Sequence, residues 1–151
     1  MTTAVEEVRI EPAQPADEPA IRLLLQQASL PHEDFAPHLP HFLVARHGGK
    51  VVGAVGFELH DSDALLRSLA VAPEWQGDGL GGALVRRTED AAQHKGVQHF
   101  YLLTNTAEKF FERRWFRRIS RDRVPPAIAA TAEFARLCPA SAVCLVRTVK
   151  P

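Results

Sequence analysis

The stretch RSLAVAPEWQGDGLGGALVRR, residues 67–87, constrains the fold more than any other part of this chain. An apolar, β-prone run ends at Ala72 and Pro73. Gly77, Gly79, Gly81 and Gly82 then fall within six positions, and Ala83, Leu84 and Val85 resume an apolar pattern. Glycine loses more backbone freedom on folding than any other residue. Four of them between a strand and a helix therefore point to a purpose for that junction. The first amides of a helix have no acceptor inside it, and the macrodipole adds partial positive charge there. Without Cβ atoms in the way, an anion such as a phosphate can approach that backbone closely. The alternative is a glycine-rich turn that holds no ligand.

On either side of this junction the hydrophobic pattern alternates between strand and helix. VEEVRIEP reads as a first strand. In PADEPAIRLLLQQASL, Ile21, Leu24, Leu25 and Ala28 recur at helical spacing, with Asp17 or Glu18 near the positive end. PHEDFAPHLPH carries three prolines and predicts a loop or broken turn. FLVARHGGKVVGAVGFEL is two β-rich runs around Gly48-Gly49, a hairpin signal. Alternation along the second run puts Val51, Val55, Phe57 and Leu59 on one face and Val52, Ala54, Gly56 and Glu58 on the other. ALLRSLAV is a fourth strand, Gly79 to about His94 a helix, HFYLLTNT a fifth strand and AEKFFERR a short helix. WFRRIS, a Pro-Pro turn, one helix around AIAATAEFARLC and a last strand AVCLVRTV follow. The class is α/β (α+β) with a mixed sheet.

A length of 151 residues suits one domain with a proper core. Lys plus Arg equals Asp plus Glu at 18 each, so overall charge points to neither nucleic acid nor membrane as partner. No apolar run approaches the roughly 20 residues of a membrane span. The acidic start, MTTAVEEVRIEP, lacks a basic-then-apolar signal segment and predicts a cytoplasmic protein. Cys138 and Cys144 are the only cysteines, and reduced thiols are expected.

Three phosphate motifs compete for the glycine turn. Gly77-x-Gly79-x-x-Gly82 matches the dinucleotide fingerprint by letter. However, PEWQ separates the strand from Gly77, and the next strand ends in Thr104, Asn105 and Thr106 without the acid that binds ribose. A Walker-type loop fails because Gly49-Lys50 is followed by valine. Gln76-Gly77-Asp78-Gly79-Leu80-Gly81, preceded by LAVAPEWQG, resembles the Q/R-x-x-G-x-G/A pattern of the GNAT N-acetyltransferase superfamily. LLTNTAEKFFERRWF resembles the strand-helix motif that follows it in those proteins. The resemblance covers nearly the whole chain.

It implies one GNAT domain over residues 1–151. The expected fold is a mixed, mostly antiparallel sheet of about six or seven strands with about four helices, splayed between strands four and five. It also implies acetyl-CoA as cosubstrate and no metal. Amides from about Asp78 through Gly79, Leu80 and Gly81 to Gly82 would hold the CoA pyrophosphate, with Gln76 and Gly77 also binding the cofactor. Pantetheine would run between strands four and five, against the backbone of Leu69, Ala70 and Val71, with Thr104, Asn105 and Phe110 on the far side. The run through residues 102–146 further resembles bacterial arsenic-resistance N-acetyltransferases and, more distantly, the acetyltransferase domain of N-acetylglutamate synthase. Both likenesses imply the amine of a small, acidic, glutamate-like or arsenic-containing amino acid as acceptor, with a homodimer possible as in many relatives.

The chain departs from the pattern at four places. Phe111 stands where many members carry a tyrosine that protonates the leaving thiolate, and Trp115 stands where a glycine precedes Phe116. Thr104 replaces a frequent asparagine, with Asn105 next to it. Leu65 and Leu66 occupy the early part of strand four, where a glutamate base often sits. Direct transfer needs a neutral amine, so a carboxylate has to take a proton. Glu58 is the candidate base, the alternative being a solvated strand-end carboxylate; Asp61 and Asp63 rank below it. Ser68 is a candidate to assist at the thioester or simply to pack. Arg67 is a candidate anchor for an acceptor carboxylate, the alternative being an outward arginine on the sheet face.

His32, His38 and His41, with Asp34, match no tight zinc spacing and read as loop residues at the acceptor pocket. Six arginines, Arg113, Arg114, Arg117, Arg118, Arg121 and Arg123, interleaved with Trp115 and Phe116, support a rival reading as a nucleic-acid-binding module. Neutral overall charge speaks against it, and no nucleic-acid partner is expected. A non-catalytic acyl-CoA sensor is the third reading, raised by Phe111.

Overall fold

The computed structural model describes residues 7–149. The acidic first residues, and Val5 and Glu6 of the first expected strand, lie outside the described residues. Seven strands form one sheet in the order β1-β2-β3-β4-β5-β7-β6. They are β1 (Arg9–Pro12), β2 (Phe42–His47), β3 (Lys50–His60), β4 (Asp63–Val71), β5 (His99–Thr104), β6 (Arg117–Arg118) and β7 (Val143–Thr148). The α-helices are α1 (Glu18–Gln27), α2 (Leu80–Gln93), α3 (Glu108–Glu112) and α4 (Pro126–Ala129). No helix among the described residues is long and apolar enough to cross a membrane.

The sheet is mixed, as expected. Antiparallel ladders join β1 to β2, β2 to β3, β5 to β7 and β6 to β7. β4 pairs with β5 in parallel through Asp63–His99, Ala64–Phe100 and Leu65–Tyr101. That register ends there, while β4 runs on to Val71 and β5 to Thr104.

Contacts divide the chain into two compact units interleaved in sequence. One holds the described residues up to Phe57 together with Ser68–Asp90; the other holds Glu58–Arg67 and the chain from Ala91.

In the first unit, α1 carries Glu18 and Pro19 in its first turn and buries Ile21, Leu24 and Leu25. The exposed Ala28 is its C-cap, and the helix closes with Leu30 N donating to Leu25 O and Ser29 N donating to Gln26 O. Ser29 takes the left-handed φ of 57° that this ending requires. The hairpin is present: Gly48 (φ 56°) and Gly49 (φ 81°) form a two-residue turn between His47 and Lys50. Both glycines supply positive φ, which twists the turn to match its strands. β3 departs from strict alternation. Register slips between Ala45 and Arg46 of β2, leaving Val52 as an extra residue, and positions 51–58 are all buried. Gly56 lies against Phe42, where an added Cβ would meet ring carbons at 2.3 Å. The proline-rich segment is more ordered than a plain loop, because Ala36–His41 forms a 3₁₀-helix.

In the second unit, Leu65, Tyr101, Val124, Ile128, Cys144 and Val146 form a core cluster, with Leu103, Ile119 and Phe134 packed on it. The single helix expected around residues 127–138 is a correction. α4 stops at Ala129, and a separate π-helical turn spans Glu133–Leu137. Thr131 explains the break, since its Oγ donates back to the Ile128 carbonyl and competes with the helix ladder.

Arg46 fixes the start of α1. Its guanidinium donates to Glu11 at 2.6 Å and to both oxygens of Asp17 at 3.0 and 2.9 Å. The hydrogen bonds from Arg46 hold the buried Asp17 carboxyl below its usual pKa. A depressed folded pKa gives stability that is complete above the unfolded value, about 3.9, and is lost as pH falls towards the folded one. Asp17→Asn is expected to lose roughly 1.5–3 kcal/mol at pH 7. The gap to the wild type should narrow steadily in urea titrations carried below pH 4.

Candidate functional site

The glycine turn is built from its flanks inward. After β4, Ala72 N donates to Val52 O, and Pro73–Trp75 makes one 3₁₀ turn. Gln76 then ties the loop to the strand it has just left, its Nε2 donating to Val71 O at 2.9 Å. This bond gives a structural reason for glutamine at the head of the motif. Gly77 (φ 91°) and Gly79 (φ 84°) occupy left-handed conformations, and a Cβ at either would meet nothing within 4 Å. They are thus needed for the backbone path, and the space before them is open. Ala83 N is the first amide bonded within the helix, to Gly79 O at 3.1 Å. The amides of Leu80, Gly81 and Gly82 precede it and have no acceptor four residues back inside α2. Trp75, packed on His47 with ring centroids 4.8 Å apart, supports the loop from behind.

Within β4, Ser68 is a buried residue at φ 63°. A non-glycine residue in that region is strained, and such strain concentrates at functional sites. Leu69, Ala70 and Val71 follow it to the end of the strand.

In the second unit a buried charge cluster gathers around Arg67. Its Nη1 donates to Glu58 Oε2 at 2.6 Å, and its Nη2 lies 3.4 Å from Glu133 Oε2. The side chains of Arg67, Glu58 and Glu133 are 0%, 6% and 5% exposed. Arg67 is therefore not an outward arginine on a sheet face, and Glu58 is not a solvated strand-end carboxylate. His60 Nε2 stands 3.6 Å from Glu58 Oε1. On the other flank, Cys138 Sγ donates to Glu133 Oε1 at 3.9 Å. Burial first, and then the Glu133 charge, push the Cys138 thiol up to about 12; burial pushes Cys144 up to about 11. Both cysteines are free thiols, protonated at neutral pH. His60 and Glu133 escaped notice in the sequence. Two-residue spacing from Glu58 was a signal for His60, whereas nothing local marks Glu133.

The second motif forms the end of β5 and α3. Thr104 Oγ accepts from Ala107 N at 3.0 Å, and Asn105 is exposed beside it. Phe111 is buried, meeting Phe110 edge-on at 5.0 Å and Phe116 at 5.4 Å. Phe116 N donates to Phe111 O and Trp115 N to Glu112 O, the closing pattern of a helix whose next residue is left-handed. Trp115 sits there at φ 75° with 78% of its surface exposed, which explains why glycine suits this position.

Three of the six arginines serve their own fold. Arg114 lies over the Phe110 ring at 3.8 Å and donates to the Phe110 carbonyl. Arg118 grips Glu108 with two bonds, and Arg121 donates to the carbonyls of Pro139 and Ala142.

Arginine keeps its charge when buried, so removing it strands two carboxylates in an apolar setting. Arg67→Met, nearly equal in volume, is expected to lose on the order of 3–5 kcal/mol. The measurement is urea unfolding of both proteins at neutral pH.

Comparisons with known proteins fit this geometry. The family profile described as acetyltransferase (GNAT) domain matches residues 38–118. An N-acetyltransferase from Chlorobaculum tepidum is 31% identical over 97 residues, covering 64% of this chain and 62% of that protein. The amino-acid acetyltransferase of Pseudomonas fluorescens is 34% identical over 95 residues, 62% of this chain but 22% of its own length. The chain therefore matches only part of these relatives. Among solved structures, N-acetylglutamate synthase from Neisseria gonorrhoeae, complexed with coenzyme A and L-arginine, superposes with a TM-score of 0.82. It is 24% identical and covers 95% of this chain and 34% of that one. A Mycobacterium tuberculosis protein in complex with CoA gives 0.80 at 23% identity, covering 94% and 99%. At these identities the structural matches speak for the fold.

Proposed function

Because this chain belongs to the acetyltransferase (GNAT) family, we propose that it moves the acetyl group of acetyl-CoA to the α-amine of a small amino acid, by direct attack in a ternary complex. The observation that carries the reading is the glycine turn. Two left-handed glycines with open space before them, and the first amides of α2 behind them, suit a pyrophosphate. The stretch from Gln76 to Gly82 holds that group, and the backbone of Leu69, Ala70 and Val71 meets pantetheine. Thr104, Asn105 and Phe110 contribute from the second motif.

Glu58 is the base that takes the ammonium proton. Arg67 fixes one of its oxygens, so the carboxylate is held rather than free to swing. Ser68, left-handed within β4, assists at the thioester carbonyl. Phe111 has no proton to give the departing thiolate, which receives an amine proton through solvent or another residue. Amino-acid acetyltransferase relatives at 34% identity support an amino-acid acceptor. A glutamate-like or arsenic-containing acceptor brings further negative charge. Arg67 already faces two carboxylates, so the acidic end has to be met by other cations.

Two experiments test this reading. Gly79→Asp puts a carboxylate where the pyrophosphate sits and forces an unfavourable backbone angle. It should weaken acetyl-CoA binding at least tenfold by calorimetry while the circular dichroism spectrum is kept; unchanged affinity would remove the cradle assignment. The second is thiol release from acetyl-CoA with glutamate, other amino acids, aminoacyl arsonates and phosphonates, polyamines and aminoglycosides. Amino acids with an acidic side chain are expected to lead. Turnover of polyamines alone would leave the family assignment and refute the amino-acid acceptor, and binding without any turnover would favour a sensor.

A further inference from the structure

Acetylation of an ammonium group exports a proton. Of its three N–H protons one stays on the amide, one goes to the thiolate, and one has to leave the site. Glu58, the base in the reading above, is 6% exposed and needs a partner to pass that proton on.

The two oxygens of Glu58 face different neighbours. Oε2 accepts from Arg67 at 2.6 Å, and Oε1 faces His60 Nε2 at 3.6 Å. His60 ends β3 two residues after Glu58, a spacing that puts both side chains on one face of a strand. Its Nε2 is buried and makes no hydrogen bond, yet the side chain as a whole is 29% exposed. An imidazole with one nitrogen aimed at a buried carboxylate and part of its ring in solvent spans the boundary the proton has to cross. Histidine is also the side chain whose ordinary pKa suits two-way proton transfer near neutrality.

We propose that His60 is the proton outlet of Glu58, a relay residue that acts through the base; the inference rests on Glu58 being that base. Glu58 takes one proton from the acceptor ammonium, and the freed lone pair attacks the thioester carbonyl carbon. The C–S bond breaks as the amide forms, and a second amine proton ends on the thiol. The protonated Glu58 hands its proton from Oε1 to Nε2, the imidazolium releases one from Nδ1 to water, and the neutral ring exchanges with solvent back to its Nδ1–H tautomer, so that Nε2 is open again. The present 3.6 Å has to shorten to about 2.7–3.2 Å for that transfer. Arg67 keeps Oε1 facing the ring by holding Oε2.

The test measures turnover of acetyl-CoA with the panel amine that gives the highest rate, for His60→Ala, His60→Gln and Glu58→Gln. His60→Ala should lower kcat by about tenfold or more, a modest share of what positioned proton transfer supplies, with both KM values little changed. Added imidazole should restore its rate in proportion to concentration and leave His60→Gln, which fills the space, unaffected. A wild-type kcat in either His60 variant, or a deficit in folded His60→Ala that imidazole does not relieve, overturns the outlet. If the alanine variant unfolds, the kcat of His60→Gln decides alone. Glu58→Gln should be inactive with or without imidazole. Wild-type turnover there would refute the base and the outlet together, whereas normal His60 variants beside an inactive Glu58→Gln would refute the outlet alone.

Discussion

An arginine cannot shed its proton inside a protein, so burying one completely obliges the surrounding chain to supply negative charge. Arg67 is that arginine. The side chain is fully enclosed, and carboxylates from β3 and from the π-helical turn converge on it. Two elements far apart in sequence are thereby bound to one point of β4. The same constraint explains how a glutamate comes to sit almost out of solvent at the end of a strand. Charge compensation makes its burial tolerable, and the bond to Nη1 gives it a defined direction. If Glu58 is the base proposed above, a requirement of stability and a requirement of chemistry meet in one guanidinium.

The glycine turn follows a different logic, in which backbone geometry does the work and side chains stay away. Gln76 anchors the loop to Val71. Beyond it, left-handed angles at Gly77 and Gly79 carry the chain round into α2. Oriented amides at the start of α2 supply partial positive charge there. On the proposed reading such a turn meets phosphate by shape and dipole, which suits a chain whose formal charges cancel.

Much of this was legible before any coordinates. The hairpin glycines, the α1 stripe of Ile21, Leu24 and Leu25, and the strand-turn-helix around Gly79 are local patterns, governed by neighbours a few residues away. What escaped was long-range or compensatory. Residues 127–138 have a helical pattern, but the Thr131 side chain competes for the backbone and the helix divides. Alternation in β3 assumed a regular ladder, and one extra residue at Val52 interrupts it. Arg67 stood out as an isolated charge in an apolar strand. Its partner Glu133 lies 66 positions further on, and pairing over that distance leaves no mark in a single sequence. The short spacing between Glu58 and His60 was visible, yet it gains meaning only once burial shows which of the two reaches water.

Trp115 closes α3 in a conformation that glycine adopts without strain, and its indole is exposed instead of buried in exchange. The bonds that end the helix are backbone bonds and do not depend on which side chain occupies the site. A tryptophan codon is a single base change from one for glycine. The strain at this corner is therefore a readily reversible property of the gene, one mutational step from relief, and the fold around it already has the form that the simpler residue would use.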